Sequence, residues 1–143
     1  MYRLSFDKNE LQLDVIHGFL KGAYWSEGIP KATVKKAIEG SFCVGCYNDS
    51  DDQVGFARII TDKTTFAYLA DVFVLPDHRG QGLAARMVKG LQGHKELQGL
   101  RRWFLATADA HAVYRKLGFT EIATPEVFME INIPDIYKLD RKP

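Results

Sequence analysis

The stretch that most constrains the fold is DVFVLPDHRGQGLAARMV, residues 71–88. Its first half is an apolar run typical of a buried strand, which breaks at Pro76, and its second half has the spacing of an amphipathic helix. Gly80 and Gly82 lie at the junction, next to Arg79. A helix that begins directly after a strand presents free N–H groups and a positive dipole end, which together can bind an anion. A tight turn alone would also use glycine, so the junction by itself leaves a phosphate site and a plain connector as equal alternatives.

Periodicity along the chain predicts a single domain, residues 1–143, built on a mixed α/β sheet. The composition, 46% apolar and 26% charged, is that of a globular protein, and a chain of this length can bury roughly two thirds of its unfolded surface. The predicted strands are 2–6, 41–48, 53–61, 64–75, 100–107, 119–123 and 127–133, and the predicted helices are 9–25 (closing at Gly22), 30–40, 82–94 and 109–118. Hairpins come first and helical crossovers later, which favours a mixed sheet over a fully parallel one.

Charge and hydropathy argue against several classes of partner. The net charge of +1 gives the chain no overall field that would attract nucleic acid or an anionic membrane. No apolar run approaches the roughly 20 residues that a membrane-spanning helix needs. The N-terminal sequence MYRLSFDKNE has acidic and polar residues where a signal peptide has an apolar core, so the sequence predicts a cytoplasmic protein.

Cys43 and Cys46 form a C-x-x-C pair within SFCVGCYN. A zinc site would need two more ligands at suitable spacing, and none is near in the sequence, so we predict no metal. A redox pair would be expected at a helix N-terminus, whereas the flanking residues here predict a strand. A three-residue offset in a strand places the two side chains on opposite faces. We therefore predict two buried structural thiols.

Two motifs together resemble the GCN5-related N-acetyltransferases. The core of that family's acetyl-CoA-binding motif is Q/R-x-x-G-x-G/A, which Arg79, Gly82 and Ala84 match between a strand and a helix. A second match, A-x-x-x-Y-x-x-x-G-F, follows at the family's distance in AHAVYRKLGF, residues 110–119. The resemblance, detailed over about residues 66–120, implies a central, mostly antiparallel sheet with a splayed strand pair and flanking helices. It also implies an acetyltransferase that uses acetyl-CoA as its acetyl donor.

The resemblance implies which residues bind the donor. The backbone amides of the turn would bind the pyrophosphate of coenzyme A; these are the amides of Arg79, Gly80, Gln81, Gly82, Leu83 and Ala84. The main chain of the preceding strand, which in the family carries a bulge, would line the pantetheine slot through Phe73, Val74 and Leu75, with the strand at 100–106 as the other wall. Many relatives have an asparagine where this chain has Thr107, whose hydroxyl could still form a hydrogen bond to the cofactor.

The resemblance also gives Tyr114 a catalytic role, as the acid that protonates the departing thiolate. A phenol, with an ordinary pKa of about 10, can donate at that step. The alternative is a core tyrosine on an amphipathic helix. Asp71 lies in the apolar run LADVFV, where an unpaired carboxylate is costly to bury, and is either a functional carboxylate that takes the proton of the acceptor or a salt-bridged structural residue. Asp109 is predicted as a helix cap, and His111 as a surface or packing residue.

The segment between the first two helices borders the acceptor groove in this family. Here Tyr24 and Trp25 could form an aromatic wall and Glu27 could attract a cationic amine, although packing of Trp25 and solvation of Glu27 is an equal alternative. The resemblance implies acetylation of an amine, and we predict the primary amine of a small molecule, attacked directly in a ternary complex. A protein N-terminus or lysine as acceptor, and a non-catalytic acyl-CoA sensor, stay open as alternatives. A homodimer is possible.

Overall fold

The computed structural model describes residues 1–139, which are organised around a five-stranded sheet in the order β1-β2-β3-β4-β5. The strands are β1 (Arg3–Ser5), β2 (Phe42–Tyr47), β3 (Gln53–Thr61), β4 (Phe66–Val74) and β5 (Arg102–Leu105). The first four are antiparallel neighbours, and β5 runs parallel to β4. The helices are α1 (Leu13–Leu20), α2 (Lys31–Glu39), α3 (Leu83–Gln92), α4 (His111–Arg115) and α5 (Ile136–Leu139).

Each face of the sheet packs against its own helices. One cluster, the α3-side core, buries residues of the sheet against α3 through Met87, Val88 and Leu91. The other, the α1-side core, buries Phe56 and Phe73 of the sheet against Ile16, Leu20 and Val34. Each strand contributes apolar side chains to both cores, because successive residues point to opposite sides of the sheet.

The two cysteines confirm this alternation. Both are free and buried in β2, with Cys43 in the α1-side core and Cys46 in the α3-side core. Loss of solvation raises the pKa of the Cys43 thiol to about 11, so it stays protonated and unreactive near neutral pH. The prediction of two structural thiols on opposite faces is therefore correct.

The feature of the sheet that positions the site is the short pairing between β4 and β5. The parallel ladder runs from Phe66 opposite Arg102 to Leu69 opposite Leu105 and stops there, although β4 continues to Val74. Just beyond the last pair, the register between β3 and β4 shifts between Phe56 and Arg58, because β4 contains a bulge. The two strands therefore separate after Leu69 and leave a gap in the middle of the molecule.

The predicted mixed sheet, with flanking helices and a splayed strand pair, is confirmed, but its predicted last two strands are wrong. Residues 119–135 form no strand in the described part of the chain. The apolar alternation of 127–133 is present, but a strand also needs a neighbouring strand to pair with. Within residues 1–139 the amides of Val127 and Phe128 donate only to the nearby carbonyls of Thr124 and Pro125, and no other strand pairs with the segment.

The predicted cap at Asp109 is also wrong. Helix α4 starts at His111, its N-cap residue is Ala110, and the hydroxyl oxygen of Thr107 accepts the hydrogen bond from the Ala110 amide (3.2 Å). The N-cap residue makes no side-chain hydrogen bond, so α4 lacks the cap that Asp109 was expected to supply. Within residues 1–139, no helix combines the length and the apolar character needed to cross a bilayer.

Candidate active site

A cleft of about 1210 Å³ opens where β4 and β5 separate. One wall is the bulged half of β4, the other is the end of β5 with the residues that follow it, and the glycine-containing turn before α3 closes one end. Of the predicted site residues, those that line the cleft are Tyr24, Trp25, Asp71, Phe73, Val74, Arg79, Gly80, Gly82, Leu83, Ala84, Thr107 and Tyr114. One continuous space therefore brings together most of the residues that the two motifs and the acceptor segment predicted.

The turn before α3 presents a row of free backbone amides. Gly80 (φ +80°) and Gly82 (φ +72°) adopt left-handed conformations that strain other residues, and Gly82 is the N-cap of α3. The six N–H groups from Gly80 to Ala85 donate to no acceptor within residues 1–139, because the first helical bond of α3 is that of the Arg86 amide to the Gly82 carbonyl. A Cβ built on either glycine meets nothing within 4 Å, so there is open space beside the turn. Free amides at the start of a helix are the arrangement that proteins commonly use to bind anions.

Side-chain hydrogen bonds hold this turn in place. The Arg79 Nε donates to the Val74 carbonyl (2.9 Å) and so ties the turn to the end of β4. The Arg79 amide lies 3.4 Å from the Pro76 carbonyl and donates to it, so the free amides begin at Gly80, one residue later than predicted. The Gln81 side chain donates to the Tyr2 hydroxyl (3.1 Å) and contributes only its backbone to the turn. Leu75 lies outside the cleft lining, and its amide donates to the Val54 carbonyl (2.8 Å).

Asp71 lies in the bulge of β4, in a left-handed conformation (φ +56°) that aspartate tolerates better than most residues. Its carboxylate accepts two hydrogen bonds, one from the Arg58 Nε (2.6 Å) and one from the indole N–H of Trp25 (2.8 Å). The side chains of Arg58 and Asp71 are only 17% and 10% exposed, so this ion pair is largely shielded from water. Arg58 also donates to the Ser41 hydroxyl (3.1 Å). Asp71 is therefore a salt-bridged residue, one of the two roles that the sequence allowed for it, and it also lines the cleft.

Arg58 was not predicted as a site residue, although the sequence contained a signal for it. It is the one cation in the apolar strand QVGFARIIT, and Asp71 is the one anion in the next apolar strand. Charges of opposite sign in consecutive apolar strands indicate a buried pair, because neither group can be buried alone without a large cost. Phe19 and Tyr68, which also line the cleft, carried no such signal.

Tyr114 is partly buried on α4 and lines the cleft, with its ring edge-to-face against Phe119 at 5.9 Å. Loss of solvation, with smaller contributions from Asp109 and Tyr24, raises the pKa of its phenol above the ordinary value. The group is therefore protonated at neutral pH and available as a proton donor. Thr107, near the end of β5, lines the same space and can still donate its hydroxyl proton.

The far end of the cleft is aromatic. Tyr24 and Trp25 are 68% and 41% exposed and meet edge-to-face at 5.1 Å, and Phe19 stacks on Phe73 at 4.2 Å. Glu27, predicted to attract the acceptor, is not part of the cleft lining, and its carboxylate pairs with Lys138 (2.8 Å). His111 is exposed, as predicted.

Comparison with known proteins agrees with this geometry. The family model described as "Acetyltransferase (GNAT) domain" matches residues 39–121, more than half of the chain. The chain belongs to the GNAT family of acetyltransferases. The resemblance carried by the two motifs is thereby confirmed, and the protein is an acetyl-CoA-dependent N-acetyltransferase.

Individual relatives support the family and the fold. FG08082 of Gibberella zeae, named as an acetyltransferase, is 33% identical over 84% of this chain and 80% of its own length. A crystal structure of a protein from Xanthomonas campestris pv. campestris, assigned to the GNAT family, has a TM-score of 0.93 at 44% identity and covers 96% of both chains. The same fold occurs in a predicted acetyltransferase of Clostridium acetobutylicum solved with acetyl-CoA (TM-score 0.65, 18% identity, 92% of this chain and 95% of that one).

Removal of Arg58 should destabilise the protein by about 3 kcal/mol, because it leaves the shielded Asp71 carboxylate without its counter-charge. We expect Arg58→Met to show this loss in urea unfolding, and Arg86→Met, at an exposed position of α3, to show almost none. The double variant Arg58→Met/Asp71→Asn should be more stable than the sum of the two single losses predicts. Equal stabilities of the Arg58 and Arg86 variants would contradict a structural role for the pair.

Proposed function

We propose that this GNAT protein transfers the acetyl group of acetyl-CoA to the primary amine of a small molecule, by direct attack in a ternary complex. The observation that carries the proposal is the single cleft that joins the free amides of residues 80–85 to an aromatic end with a carboxylate, Asp71, and includes the protonated phenol of Tyr114.

On the donor side, the amides from Gly80 to Ala85 bind the pyrophosphate of coenzyme A. The Arg79 Nε donates to the Val74 carbonyl, and its terminal N–H groups, which have no acceptor among residues 1–139, can contact phosphate oxygens. The pantetheine arm lies in the gap between the strands, along the main chain of Phe73 and Val74, with Thr107 on the opposite wall. The unpaired edges of the two strands offer backbone donors and acceptors to the amides of that arm, as they would to a neighbouring strand.

The reaction forms one bond and breaks another. The neutral amine nitrogen attacks the thioester carbonyl carbon, a C–N bond forms, and the C–S bond breaks as the tetrahedral intermediate collapses. The departing sulfur takes the phenolic proton of Tyr114, which later regains a proton from solvent. The acceptor arrives as an ammonium and loses two protons: the first passes to the Asp71 carboxylate directly or through water before attack. The second leaves the attacking nitrogen for solvent as the intermediate collapses, which offsets the proton that re-forms the Tyr114 phenol. The products are an N-acetylated amine and free coenzyme A.

On the acceptor side, the aromatic rings and the carboxylate favour a compact cationic amine. Tyr24 and Trp25 present ring surfaces that attract an ammonium through cation–π interactions, and Asp71, although paired with Arg58, places a hydrogen-bond-accepting carboxylate at the same end of the cleft. Arg58 and Trp25 fix the direction of the carboxylate through the two hydrogen bonds that they donate to it.

A cytoplasmic location stays a prediction from the N-terminal sequence.

Gly82→Ala should weaken coenzyme A binding by about tenfold or more, because the new methyl group projects into the space of the pyrophosphate. Gly99→Ala is the matched control: Gly99 has nearly the same conformation (φ +75°) and equally open surroundings, but lies outside the cleft lining. Both variants suffer the same backbone strain, so isothermal titration calorimetry separates strain from ligand contact. No binding to the wild type at millimolar coenzyme A would refute the donor site.

Incubation with labelled acetyl-CoA and a library of small primary amines, peptides with free N-termini and lysine peptides should give acetylated small amines as the main products, measured by mass spectrometry and thiol release. Dominant acetylation of peptides would identify a protein acetyltransferase. Tight coenzyme A binding without transfer to any amine would identify a sensor and refute the proposed transfer.

Tyr114→Phe should lower kcat by about 100-fold or more and leave coenzyme A affinity nearly unchanged, because the ring stays and only the donated proton is lost. Tyr137→Phe, outside the cleft lining, should keep wild-type turnover. Because burial raises the pKa of the Tyr114 phenol, the protonated acid persists as pH rises, and the midpoint of the decline of kcat due to Tyr114 should lie above the ordinary phenol value of about 10. Unchanged turnover in Tyr114→Phe would remove this residue from the mechanism.

A further inference from the structure

Five neighbouring apolar side chains belong to neither core within residues 1–139. We call them the apolar shelf: Ile60 of β3, Phe66 and Tyr68 of β4, Phe104 of β5, and Phe128. Ile60, Phe66 and Phe128 are 45%, 38% and 36% exposed, and the other two are half-buried. An exposed apolar patch of this kind marks a ligand groove or an interaction surface.

Strand alternation places the shelf on the same face of the sheet as the α1-side core. In β3, Arg58 and Ile60 follow Phe56 at two-residue steps, and Phe56 belongs to that core. Tyr68 is the direct partner of Ile60 on one side and of Phe104 on the other. These three side chains therefore lie side by side across three strands, next to the position of Arg58.

Ring contacts make the shelf continuous. The ring centre of Phe104 lies 6.1 Å from the ring centres of Phe66 and Tyr68. The ring centre of Phe128 lies 5.4 Å from that of Phe104, and all these spacings are typical of aromatic pairs. The Arg102 guanidinium lies 5.0 Å from the centre of the Phe128 ring, so a cation borders the shelf at that edge.

The shelf continues directly from the acceptor end of the cleft. Tyr68 lines the cleft together with Arg58 and Asp71, and it is also part of the shelf. Tyr68 comes three residues before Asp71 in β4, which is about 10 Å along an extended strand. An acceptor whose amine lies near the Asp71 carboxylate can therefore extend over Tyr68 and onto Phe104 while it stays on the protein surface.

We propose that the apolar shelf binds the body of the acceptor, and that the acceptor is an arylalkylamine, a primary amine joined by a short alkyl chain to an aromatic ring. The inference rests on the proposed transfer to a small amine and specifies the rest of that molecule. An aromatic ring gains both burial of its apolar surface and contact with the rings of the shelf. Apart from the Tyr68 hydroxyl, the shelf side chains have no polar group, so a charged body would lose hydration there without compensation.

Three amines with the same four-carbon chain test the substrate class. The end of the chain away from the amine carries a ring in phenylbutylamine, a methyl group in butylamine and a second ammonium in butanediamine. With saturating acetyl-CoA, kcat/KM should be about tenfold or more higher for phenylbutylamine than for butylamine, and lowest for butanediamine.

The outcomes of this comparison separate the inference from the function on which it rests. Equal values for phenylbutylamine and butylamine, or a preference for butanediamine, would overturn the arylalkylamine class and leave transfer to small amines intact. No acetylation of these three amines or of any other small amine would refute the proposed transfer, and this inference with it.

Two matched variants test the shelf itself. Ile60→Asp places a carboxylate beside Tyr68, and Ile122→Asp makes the same change at an isoleucine of similar exposure (41%) outside the cleft lining and the shelf. The ratio of kcat/KM for phenylbutylamine to that for butylamine should fall about tenfold in Ile60→Asp and keep its wild-type value in Ile122→Asp. Because both amines are measured on one preparation, this ratio does not depend on the fraction of enzyme that is folded. An unchanged ratio in Ile60→Asp would overturn the role of the shelf.

The other occupant to be tested is a second copy of this chain. If the shelf binds the acceptor, the wild type, Ile60→Asp and Ile122→Asp should all sediment alike, because the shelf takes no part in assembly. A wild-type dimer that dissociates in Ile60→Asp but not in Ile122→Asp would assign the shelf to a second copy and overturn the proposal.

Discussion

The separation of β4 and β5 after Leu69 and Leu105 is the constraint on which the rest of the structure depends. Two parallel neighbours would ordinarily continue to pair and fill the middle of the sheet with hydrogen bonds. Here the bulge at Asp71 turns β4 away, so the space between the strands becomes a cleft and the unpaired backbone becomes available to a ligand. The glycine-containing turn, the phenol of Tyr114 and the aromatic end are all arranged around this gap.

Most elements from residue 2 to residue 107 could be predicted from the sequence because local patterns and tertiary packing agree there. The predicted helix at 9–25 is too long at both ends, since α1 begins at Leu13 and ends at Leu20. The predicted bounds of the strand at 53–61 match β3 residue for residue, and Gly40 ends α2 as its position suggested. Residues 119–133 have equally good alternation but form no strand. The sequence pattern of a segment shows which of its side chains share a face. A strand forms only where another strand offers an unpaired edge, and the pattern of one segment contains no information about that edge.

In the candidate site too, some residues could be predicted from local sequence patterns and others could not. Arg79, Gly82, Ala84 and Tyr114 could be found because spacing and residue type together carry the family's motifs. The contacts of Asp71 could not be found, since they join it to Arg58 of β3 and to Trp25, which lie 13 and 46 residues away along the chain. Glu27 lies near the predicted acceptor groove in sequence, but its neighbour in space is Lys138. Side-chain partners that are distant in the chain are set by tertiary packing, which local spacing does not encode.

The two cores on opposite faces of the sheet have a consequence for how such an enzyme diversifies. The turn that presents the free amides is anchored by α3, whose buried residues belong to one core, whereas α1 and α2, which flank the aromatic end, pack into the other. A substitution that reshapes residues 21–30 is therefore absorbed on one face of the sheet, without repacking the helix beneath the glycines. This partition lets evolution, or an engineer, exchange the acceptor while the donor stays the same.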